Sequence, residues 1–263
     1  MILLKIGGGA SVNLKGICAD LAEISEDVII VHGANALRDG LLTRLGVKKQ
    51  VITSLSGQSS VFTDDALLEV QIMAYAGLMN KRIVELCQQN GINAIGLTGL
   101  DGRVIEGRRN QGIKVKEGRK IRIIRDRSGK PVQINTGLLK LLLENHYTPV
   151  LTVPIIDEQK FGINSENDDI VALLQKSMDI TTVIQLIEAP GILRDPADPQ
   201  SLITGMNPSE LQELEQKFSG RIKRKLYALG KLLEGRKTTV IISDGRLESP
   251  VRHALTGGGT VLR

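Results

Sequence analysis

Short apolar runs alternate with amphipathic segments along most of this chain. Ile2–Ile6, Val28–Val31 and Thr182–Ile187 are mostly apolar and have the length of single strands. Such runs are typical of parallel strands that are buried on both faces. Residues 222–233 place apolar side chains at every third or fourth position, which is typical of a helix with one buried face. The alternation predicts an α/β fold, a mainly parallel central sheet sandwiched by helices.

One segment in the middle of the chain departs from this alternation. Between Gly112 and Arg125, apolar residues fall at every second position on both sides of the polar turn Glu117–Lys120. A period of two predicts strands, and the turn between them predicts a β-hairpin. The hairpin lies in a basic region, because residues 103–130 hold eleven Lys and Arg side chains against three acidic ones.

Two hypotheses explain this basic cluster in a chain of net charge +5. It is either a solvated face or a docking surface for a polyanion, whether an acidic protein or a nucleic acid. An aromatic content of 2%, with no Trp, argues against a partner whose bases stack on aromatic rings. We expect no nucleic-acid partner, while a solvated face and a docking surface for an acidic protein both stay open.

Composition also bounds the location of the protein and its metal chemistry. No run approaches the roughly 18 apolar residues of a membrane span, and Met1–Leu4 lacks the basic start of a signal peptide. We therefore expect a soluble, cytoplasmic protein with no membrane partner. Cys18 and Cys87 show no metal-ligand spacing, so we interpret both as small buried side chains.

Glycines follow two of the predicted strands, Gly7–Gly9 after the first and Gly33 after the second. Backbone N–H groups at the carboxyl edge of a sheet can approach an anion closely. Glycine turns after strands are common, so this pattern alone is a weak signal. Lys5 strengthens it, because a lysine that ends an apolar strand either snorkels to solvent or holds a phosphate.

Three predicted helix starts carry polar or charged residues. Thr63, followed by Asp64 and Asp65, predicts a helix with Thr63 as its N-cap. Residues 164–169, Asn-Ser-Glu-Asn-Asp-Asp, are either an ordinary cap or part of a site. Residues 220–225 open the last long helix with four cations, at the end where the helix dipole disfavours positive charge. An anionic ligand would relieve that conflict.

In this order, the segments resemble the amino acid kinase family over nearly the whole chain. The resemblance is carried by KIGGG at 5–9, IVHGA at 30–34, residues 62–86, INSENDDIVALL at 163–174, IEAPGIL at 187–193 and GRIKRKL at 220–226. It implies a carbamate kinase-like fold in a single domain, with an acceptor lobe at about residues 1–180 and an ATP lobe at about 181–263. It also implies an ATP-dependent kinase that acts on a carboxylate, with Mg²⁺ held mainly by the ATP phosphates.

The resemblance assigns roles to residues around the transferred phosphoryl group. Lys5 and Lys225 match the lysines that neutralise this group, and Asp168 matches the aspartate that positions both lysines. Gly8 and Gly33 match glycines whose N–H groups face it. Phosphoryl transfer requires positioning and charge stabilisation more than covalent chemistry, and a carboxylate acceptor needs no general base. The lack of a plausible catalytic His or Cys is then expected.

Other matches lie on the acceptor and nucleotide sides. The resemblance implies that the substrate is bound by Gly33, Ala34, Val61 and Asn164. It implies that the nucleotide is bound by the turn containing Glu188, Pro190, Gly191, Ile192 and Leu193.

Two positions depart from the family pattern, both on the acceptor side. Val61 stands where the family usually has an arginine that grips a substrate carboxylate. Ala34 replaces the second glycine after His32, and its methyl group would be awkward if this residue had a positive φ. Arg38 or Arg44 could substitute for the missing arginine.

Within the family, AIGLTGLDGRVIEGRR at 94–109 and the following hairpin resemble one branch more than the others. Its kinases phosphorylate aminoadipate or glutamate attached to an acidic, LysW-like amino-group carrier protein, in lysine and arginine biosynthesis. The docking residues would then be Arg108, Arg109, Arg119, Lys120 and Arg122. A kinase of free N-acetylglutamate is one alternative, and a non-catalytic binding protein on the same fold is another. The family also implies a homodimer.

Overall fold

The computed structural model describes residues 1–55, 59–117, 120–195, 197–218, 220–233 and 238–263. Within these ranges the strands are β1 (Ile2–Ile6), β2 (Val28–His32), β3 (Val51–Thr53), β4 (Ser59–Val61), β5 (Ala94–Thr98), β6 (Ile105–Arg109), β7 (Ile113–Glu117), β8 (Lys120–Ile124), β9 (Gly129–Ile134), β10 (Thr148–Thr152), β11 (Ile155–Ile156), β12 (Gly162–Ile163), β13 (Thr182–Ile187), β14 (Gly205–Met206), β15 (Thr239–Asp244) and β16 (Thr260–Leu262).

Helices surround these strands. They are α1 (Leu14–Leu21), α2 (Asn35–Leu45), α3 (Asp65–Ile72), α4 (Asn80–Gln89), α5 (Thr136–Glu144), α6 (Asn167–Ser177), α7 (Pro208–Lys217), α8 (Gly220–Leu233) and α9 (Pro250–Leu255). A π-helical stretch, Met73–Met79, joins α3 to α4, and short 3₁₀ turns lie at Asp101–Arg103 and Pro199–Ser201.

Eight strands form one central sheet in the order β14, β16, β15, β13, β1, β2, β10 and β5. Its neighbouring strands are parallel except for the antiparallel pair β15 and β16. In the middle, β1 pairs with β2 on one side and with β13 on the other. The prediction of a mainly parallel sheet is confirmed, and the sheet runs without a break from the first half of the chain into the second.

Both faces of the central sheet are covered. Successive side chains of β1 point to opposite faces, so Leu3 packs in one apolar cluster while Ile2 and Leu4 pack in another. Burying an aliphatic side chain of this size contributes about 1.5–3 kcal/mol. Covering the sheet on both sides therefore explains why its inner strands are apolar at almost every position.

Smaller sheets lie beside the first half of the chain. One has the strand order β12, β11, β6 and β9, and the other two are the pairs β3–β4 and β7–β8. The predicted hairpin is confirmed, because β7 and β8 are antiparallel with Ile113 opposite Ile124.

The predicted start of α3 is wrong by one residue. Asp64, and not Thr63, is the N-cap, since its side chain accepts from the Leu67 N–H at 2.8 Å. Thr63 is buried and is committed elsewhere: its N–H donates to Asp126 Oδ2 at 3.2 Å. Its carbonyl accepts from Arg127 N at 2.7 Å. This tertiary pairing moves the helix start to the next residue.

The two cysteines are free and buried, as expected, but they also touch. Cys18 Sγ and Cys87 Sγ lie 3.7 Å apart, which joins α1 to α4. The hydrogen bond with Cys87, together with burial, raises the pKa of the Cys18 thiol. Cys18 is therefore an unreactive thiol at neutral pH.

Candidate functional site

The glycine turns after β1 and β2 are in backbone contact at the carboxyl edge of the sheet. A Cβ atom on Gly8 would lie 2.6 Å from Asn35 N and 2.7 Å from Ala34 N. A Cβ atom on Gly33 would lie 3.0 Å from Gly8 N. The prediction that the Gly33 N–H faces the phosphoryl group is wrong, because this N–H donates to Ile6 O at 2.9 Å. Within the described part of the chain, the N–H groups of Gly8 and Gly9 have no hydrogen-bond partner. These free donors, in a space that a side chain would fill, fit the phosphate oxygens of a nucleotide.

Lys5 lies beside these turns and forms an ion pair with Asp168 Oδ1. Only 9% of Lys5 is exposed, because it points to the same face of β1 as Leu3, which α6 covers. Asp168 is in the first turn of α6. The structure thus brings together two predicted site residues that are 163 positions apart. The side chain of Lys225, on α8, lies outside the described residues.

His32 lies under the second glycine turn and is fully buried. Burial lowers its pKa to about 4, so the ring is neutral near pH 7. A neutral ring with its proton on Nδ1 satisfies both contacts, since Nδ1 lies 3.3 Å from Gly33 O and Nε2 lies 3.1 Å from Asn80 Nδ2. Asn167 Nδ2 donates to His32 O at 3.0 Å. This histidine holds the Gly33 turn in place.

Asn164, a predicted acceptor ligand, belongs to a buried chain of hydrogen bonds. Its Nδ2 donates to Thr63 Oγ1 at 3.2 Å, and its Oδ1 accepts from Gln71 Nε2 at 2.5 Å. The Thr63 hydroxyl donates in turn to Val61 O at 3.3 Å. Val61 therefore takes part through its backbone. Within the described ranges, the buried Ser165 Oγ has no hydrogen-bond partner.

The turn around Ala34 carries its methyl group without strain. Ala34 has φ −150° and is buried in the apolar core, so the positive φ that would have disfavoured a side chain does not occur. Arg38 is also buried, one turn into α2, where it donates to Asp39 Oδ1 at 2.8 Å. Arg44 is exposed in the last turn of the same helix. Of the two candidate substitutes for the missing arginine, Arg38 is the one beside the Gly33 turn.

The predicted nucleotide turn, Glu188–Leu193, follows β13 and contacts the first glycine turn. Glu188 Oε1 accepts from the Ser11 N–H at 2.8 Å and from the Ser11 hydroxyl. A Cβ atom on Gly9 would collide with this carboxylate at 1.9 Å. Farther along the turn, Ile192 N donates to Thr260 Oγ1 at 2.8 Å. The turn is therefore fixed against both β16 and the loop after β1.

The predicted docking residues are divided between two sheets. Arg108 and Arg109 lie on β6, where Arg109 Nε donates to Asp126 O at 3.2 Å. Lys120 and Arg122 lie on β8 of the hairpin. Arg119 lies outside the described residues.

The hairpin has one side turned to the protein and one turned away. Arg122 is opposite Val115, and the burial of Val115 shows that this side faces the protein. The opposite side, which we name the outer hairpin face, consists of Lys114, Lys116, Ile121 and Ile123. Its isoleucines are 63% and 61% exposed, each opposite a lysine. The outer hairpin face thus has an apolar row on β8 and a positively charged row on β7.

Neither a metal-ligand cluster nor a membrane-spanning helix occurs among the described residues. In them, no group of three or more His, Cys, Asp or Glu side chains could hold a metal ion. No helix in those ranges is long and apolar enough to cross a membrane.

Sequence reasoning missed three polar residues of this region: Gln71, Tyr75 and Asn167. Gln71 and Tyr75 are buried, and Tyr75 donates from its hydroxyl to Asn35 Oδ1 at 2.7 Å. The sequence does contain a signal for Gln71. It is a polar residue at a position where helical spacing predicts burial, one turn after Leu67 and one turn before Ala74. Asn167 lay within the segment 164–169, interpreted as an ordinary cap or part of a site, but the sequence assigned it no role of its own.

The contacting glycine turns, the buried lysine–aspartate pair and the fixed turn after β13 meet at one edge of a parallel sheet, and this arrangement fits a bound phosphate. The model of the amino acid kinase family matches residues 1–244. The chain belongs to this family, which confirms the resemblance, and it is a kinase.

Similar proteins match over the full length of the chain. It is 37% identical to the LysW-aminoadipate kinase of Thermus thermophilus, covering 100% of both chains. It is 36% identical to the LysW-aminoadipate kinase of Deinococcus radiodurans, covering 100% of this chain and 91% of that protein. The solved structure of Giardia carbamate kinase superposes with a TM-score of 0.69 at 15% identity, covering 99% of this chain and 97% of the other. The predicted carbamate kinase-like fold is confirmed.

Proposed function

We propose that this kinase transfers a phosphoryl group from ATP to the side-chain carboxylate of aminoadipate or glutamate on an acidic amino-group carrier protein. The product is an acyl phosphate, and the reaction belongs to lysine or arginine biosynthesis. The observation that carries the proposal is the Lys5–Asp168 ion pair beside the contacting Gly8 and Gly33 turns. Full-length relatives named as LysW-aminoadipate kinases support this choice of substrate.

The residues of the site divide the work of phosphoryl transfer. When bound, ATP with Mg²⁺ supplies the phosphoryl group, and we expect the metal to be held by phosphate oxygens and water. The free N–H groups of Gly8 and Gly9 donate to phosphate oxygens. Lys5, held by Asp168, keeps a positive charge where negative charge develops, and Lys225 is proposed to add a second.

The acceptor side needs binding groups but no base. A carboxylate is already deprotonated at neutral pH, so it can attack without losing a proton. His32 is therefore not needed as a base. It is buried and neutral, and its contacts indicate that it supports the Gly33 turn. Asn164 offers the acceptor an amide donor, and the Val61 backbone completes its network.

The outer hairpin face is the surface that we propose for carrier docking. Its lysines complement an acidic partner, and its exposed isoleucines add apolar area beside them. Arg108 on β6 is also exposed and extends the positive field. Lys120 and Arg122 are exposed too, but they lie on the other side of the hairpin from the outer hairpin face. The exposed isoleucines favour a protein partner over a nucleic acid.

Three further features complete the proposal. Residues 1–180 form the acceptor lobe and residues 181–263 the ATP lobe, joined through β1. The enzyme acts in the cytoplasm. It is a homodimer, for which the exposed Ile72, Met73 and Leu78, on α3 and the π-helical stretch, offer an apolar contact face.

The test is a kinase assay with three acceptors: carrier-bound aminoadipate, carrier-bound glutamate and free N-acetylglutamate. Trapping the acyl phosphate with hydroxylamine reports the product directly. At low salt, Lys114→Glu with Lys116→Glu should lower carrier-dependent kcat/KM about tenfold, because electrostatic steering is worth 10–10³ in association rate. The KM for ATP should stay unchanged. Above about 0.1 M salt, where the screening length is about 10 Å, the effect should shrink.

A matched control reverses two exposed lysines elsewhere, Lys140→Glu with Lys217→Glu, and changes the net charge equally. If both double variants behave alike at low salt, the outer hairpin face is only a solvated surface. If the wild type phosphorylates only free N-acetylglutamate, the carrier is not its partner. Phosphorylation of none of the three acceptors would refute the proposed function.

A further inference from the structure

Gln71 is buried in the apolar side of α3 and is 1% exposed. Leu67, Leu68 and Val70 are buried around it on the same helix. Burying an amide is unfavourable unless hydrogen bonds replace those made with water. An apolar residue would therefore pack better at this position. The presence of a glutamine indicates that its hydrogen bonds have a role.

One of those contacts reaches the acceptor ligand. Gln71 Nε2 donates to Asn164 Oδ1 at 2.5 Å. The backbone of Asn164 is already fixed, because its N–H donates to Arg127 O at 2.7 Å and its carbonyl accepts from Gly129 N at 2.9 Å. Only the amide plane of the Asn164 side chain is then free to turn. Rotation by about 180° exchanges its donor end and its acceptor end.

We propose that Gln71 is a positioning residue that fixes this orientation. The Thr63 hydroxyl donates to Val61 O, so it accepts from Asn164 Nδ2. This leaves Asn164 Oδ1 facing Gln71. Gln71 completes this orientation by donating from Nε2 to Oδ1. One N–H of Nδ2 donates to Thr63 Oγ1, and the second is available to an acceptor carboxylate. This inference rests on the proposed function, in which Asn164 binds the acceptor.

The opposite orientation would oppose binding. It would place Oδ1, an acceptor with a partial negative charge, against a carboxylate. Val61 brings no positive charge to compensate, so the amide donor matters more here than beside an arginine.

A second observation indicates that Gln71 serves a ligand. Its Oε1 is buried and has no hydrogen-bond partner among the residues that the structure describes. A buried acceptor without a donor is unfavourable in the free protein. The amide N–H of an N-acylated amino acid is a donor that this atom lacks, and all three candidate acceptors would contain one.

The decisive substitution is Gln71→Glu, which keeps the shape of the side chain and removes the donor. A carboxylate at this position can only accept a hydrogen bond, so it favours the turned Asn164 amide, with Nδ2 toward residue 71 and Oδ1 toward the substrate. The KM for the acceptor should rise about tenfold to a hundredfold, as expected when a hydrogen bond to a charged group is lost. The kcat and the KM for ATP should change less than about threefold, because ground-state binding of the acceptor is what is lost.

Gln88→Glu is the matched control. Gln88 lies on α4 of the same continuous helix and also donates to an asparagine, with Nε2 3.3 Å from Asn93 Oδ1. This exchange should leave every kinetic constant at the wild-type value. Gln71→Met, which removes the donor without burying a charge, should raise the acceptor KM by a smaller factor.

The outcomes separate this inference from the function on which it rests. A wild type that phosphorylates none of the acceptors refutes both. An active wild type with an acceptor KM in Gln71→Glu equal to that of Gln88→Glu refutes the positioning role alone. The positioning role would also be refuted if kcat fell, and the KM for ATP rose, by as large a factor as the KM for the acceptor. If Gln71→Glu does not fold, Gln71→Met decides: an acceptor KM equal to the control value overturns the inference.

Discussion

His32 gives the protein a pH-dependent stability whose size follows from the structure. The ring is fully buried, and burial lowers its pKa from 6.5 to about 4. The hydrogen bond with Gly33 raises the pKa in part, while the charge of Lys81 lowers it further. In the unfolded chain the imidazole regains its ordinary value of about 6.5.

Between these two values, the unfolded chain binds a proton that the folded protein does not. Stability is therefore complete above about pH 6.5 and falls as the pH falls toward 4. A difference of about 2.5 in pKa corresponds to a total loss of about 3 kcal/mol in the free energy of unfolding. About 2 kcal/mol of this is already lost at pH 5. That is a large share of the 5–15 kcal/mol by which domains are typically stable.

The assay is urea unfolding of the wild type and of His32→Asn at pH 7.5 and pH 5. Asparagine keeps a donor near the Gly33 carbonyl but does not titrate. The loss of unfolding free energy between the two pH values should be about 2 kcal/mol greater in the wild type than in the variant. Carboxylates titrate in both proteins, so their effect cancels in this difference.

His146→Asn is the control, because His146 is exposed and has φ 59°, a conformation that asparagine adopts readily. It should keep the pH dependence of the wild type. Equal losses of stability in the wild type and His32→Asn would show that the folded protein does not hold the buried ring neutral.

Two further predictions concern the phosphoryl site. Lys5→Ala and Lys225→Ala should each lower kcat about 10²–10³-fold with little change in ATP binding, and Asp168→Asn should be comparably damaging. A steady-state kcat near that of the wild type would remove the substituted residue from the mechanism. Gly8→Ala should abolish phosphate binding in a titration with an ATP analogue, because its methyl group would lie 2.6 Å from Asn35 N. Gly40→Ala, in α2 with nothing within 4 Å of the new carbon, should bind the analogue normally and raise the unfolding free energy by about 0.5–1 kcal/mol.

The sequence predicted the parts of the fold that local geometry decides. Apolar runs marked the inner strands because both faces of the sheet are covered, and a period of two marked β7 and β8. The start of α3 was misplaced because the contact that decides it comes from Asp126, 63 residues away. No local pattern around Thr63 contains that information.

The site was predictable to the same extent. Lys5, Gly8 and Gly33 could be grouped because parallel strands that are neighbours end at the same edge of a sheet. Gln71 could not, because its role depends on a hydrogen bond to Asn164, 93 residues farther along the chain. The outer hairpin face also needed the structure, since only the burial of Val115 shows which side of β7 and β8 faces the protein.

Both departures from the family pattern leave Lys5 and Asp168 in place, and only the arginine absent at Val61 changes the charge expected around the acceptor. Arg38 and Lys49 share one carboxylate, with Lys49 Nζ 2.6 Å from Asp39 Oδ2 and Arg38 Nη2 2.8 Å from Asp39 Oδ1. Burial raises the pKa of Asp39, but the hydrogen bonds from Lys49 and Arg38 outweigh it and hold the pKa below its usual value. The carboxylate therefore stays ionised, and the three residues carry one net positive charge beside the Gly33 turn. An acceptor carboxylate would balance this charge, which favours Arg38 over Arg44 as the replacement for the arginine absent at Val61.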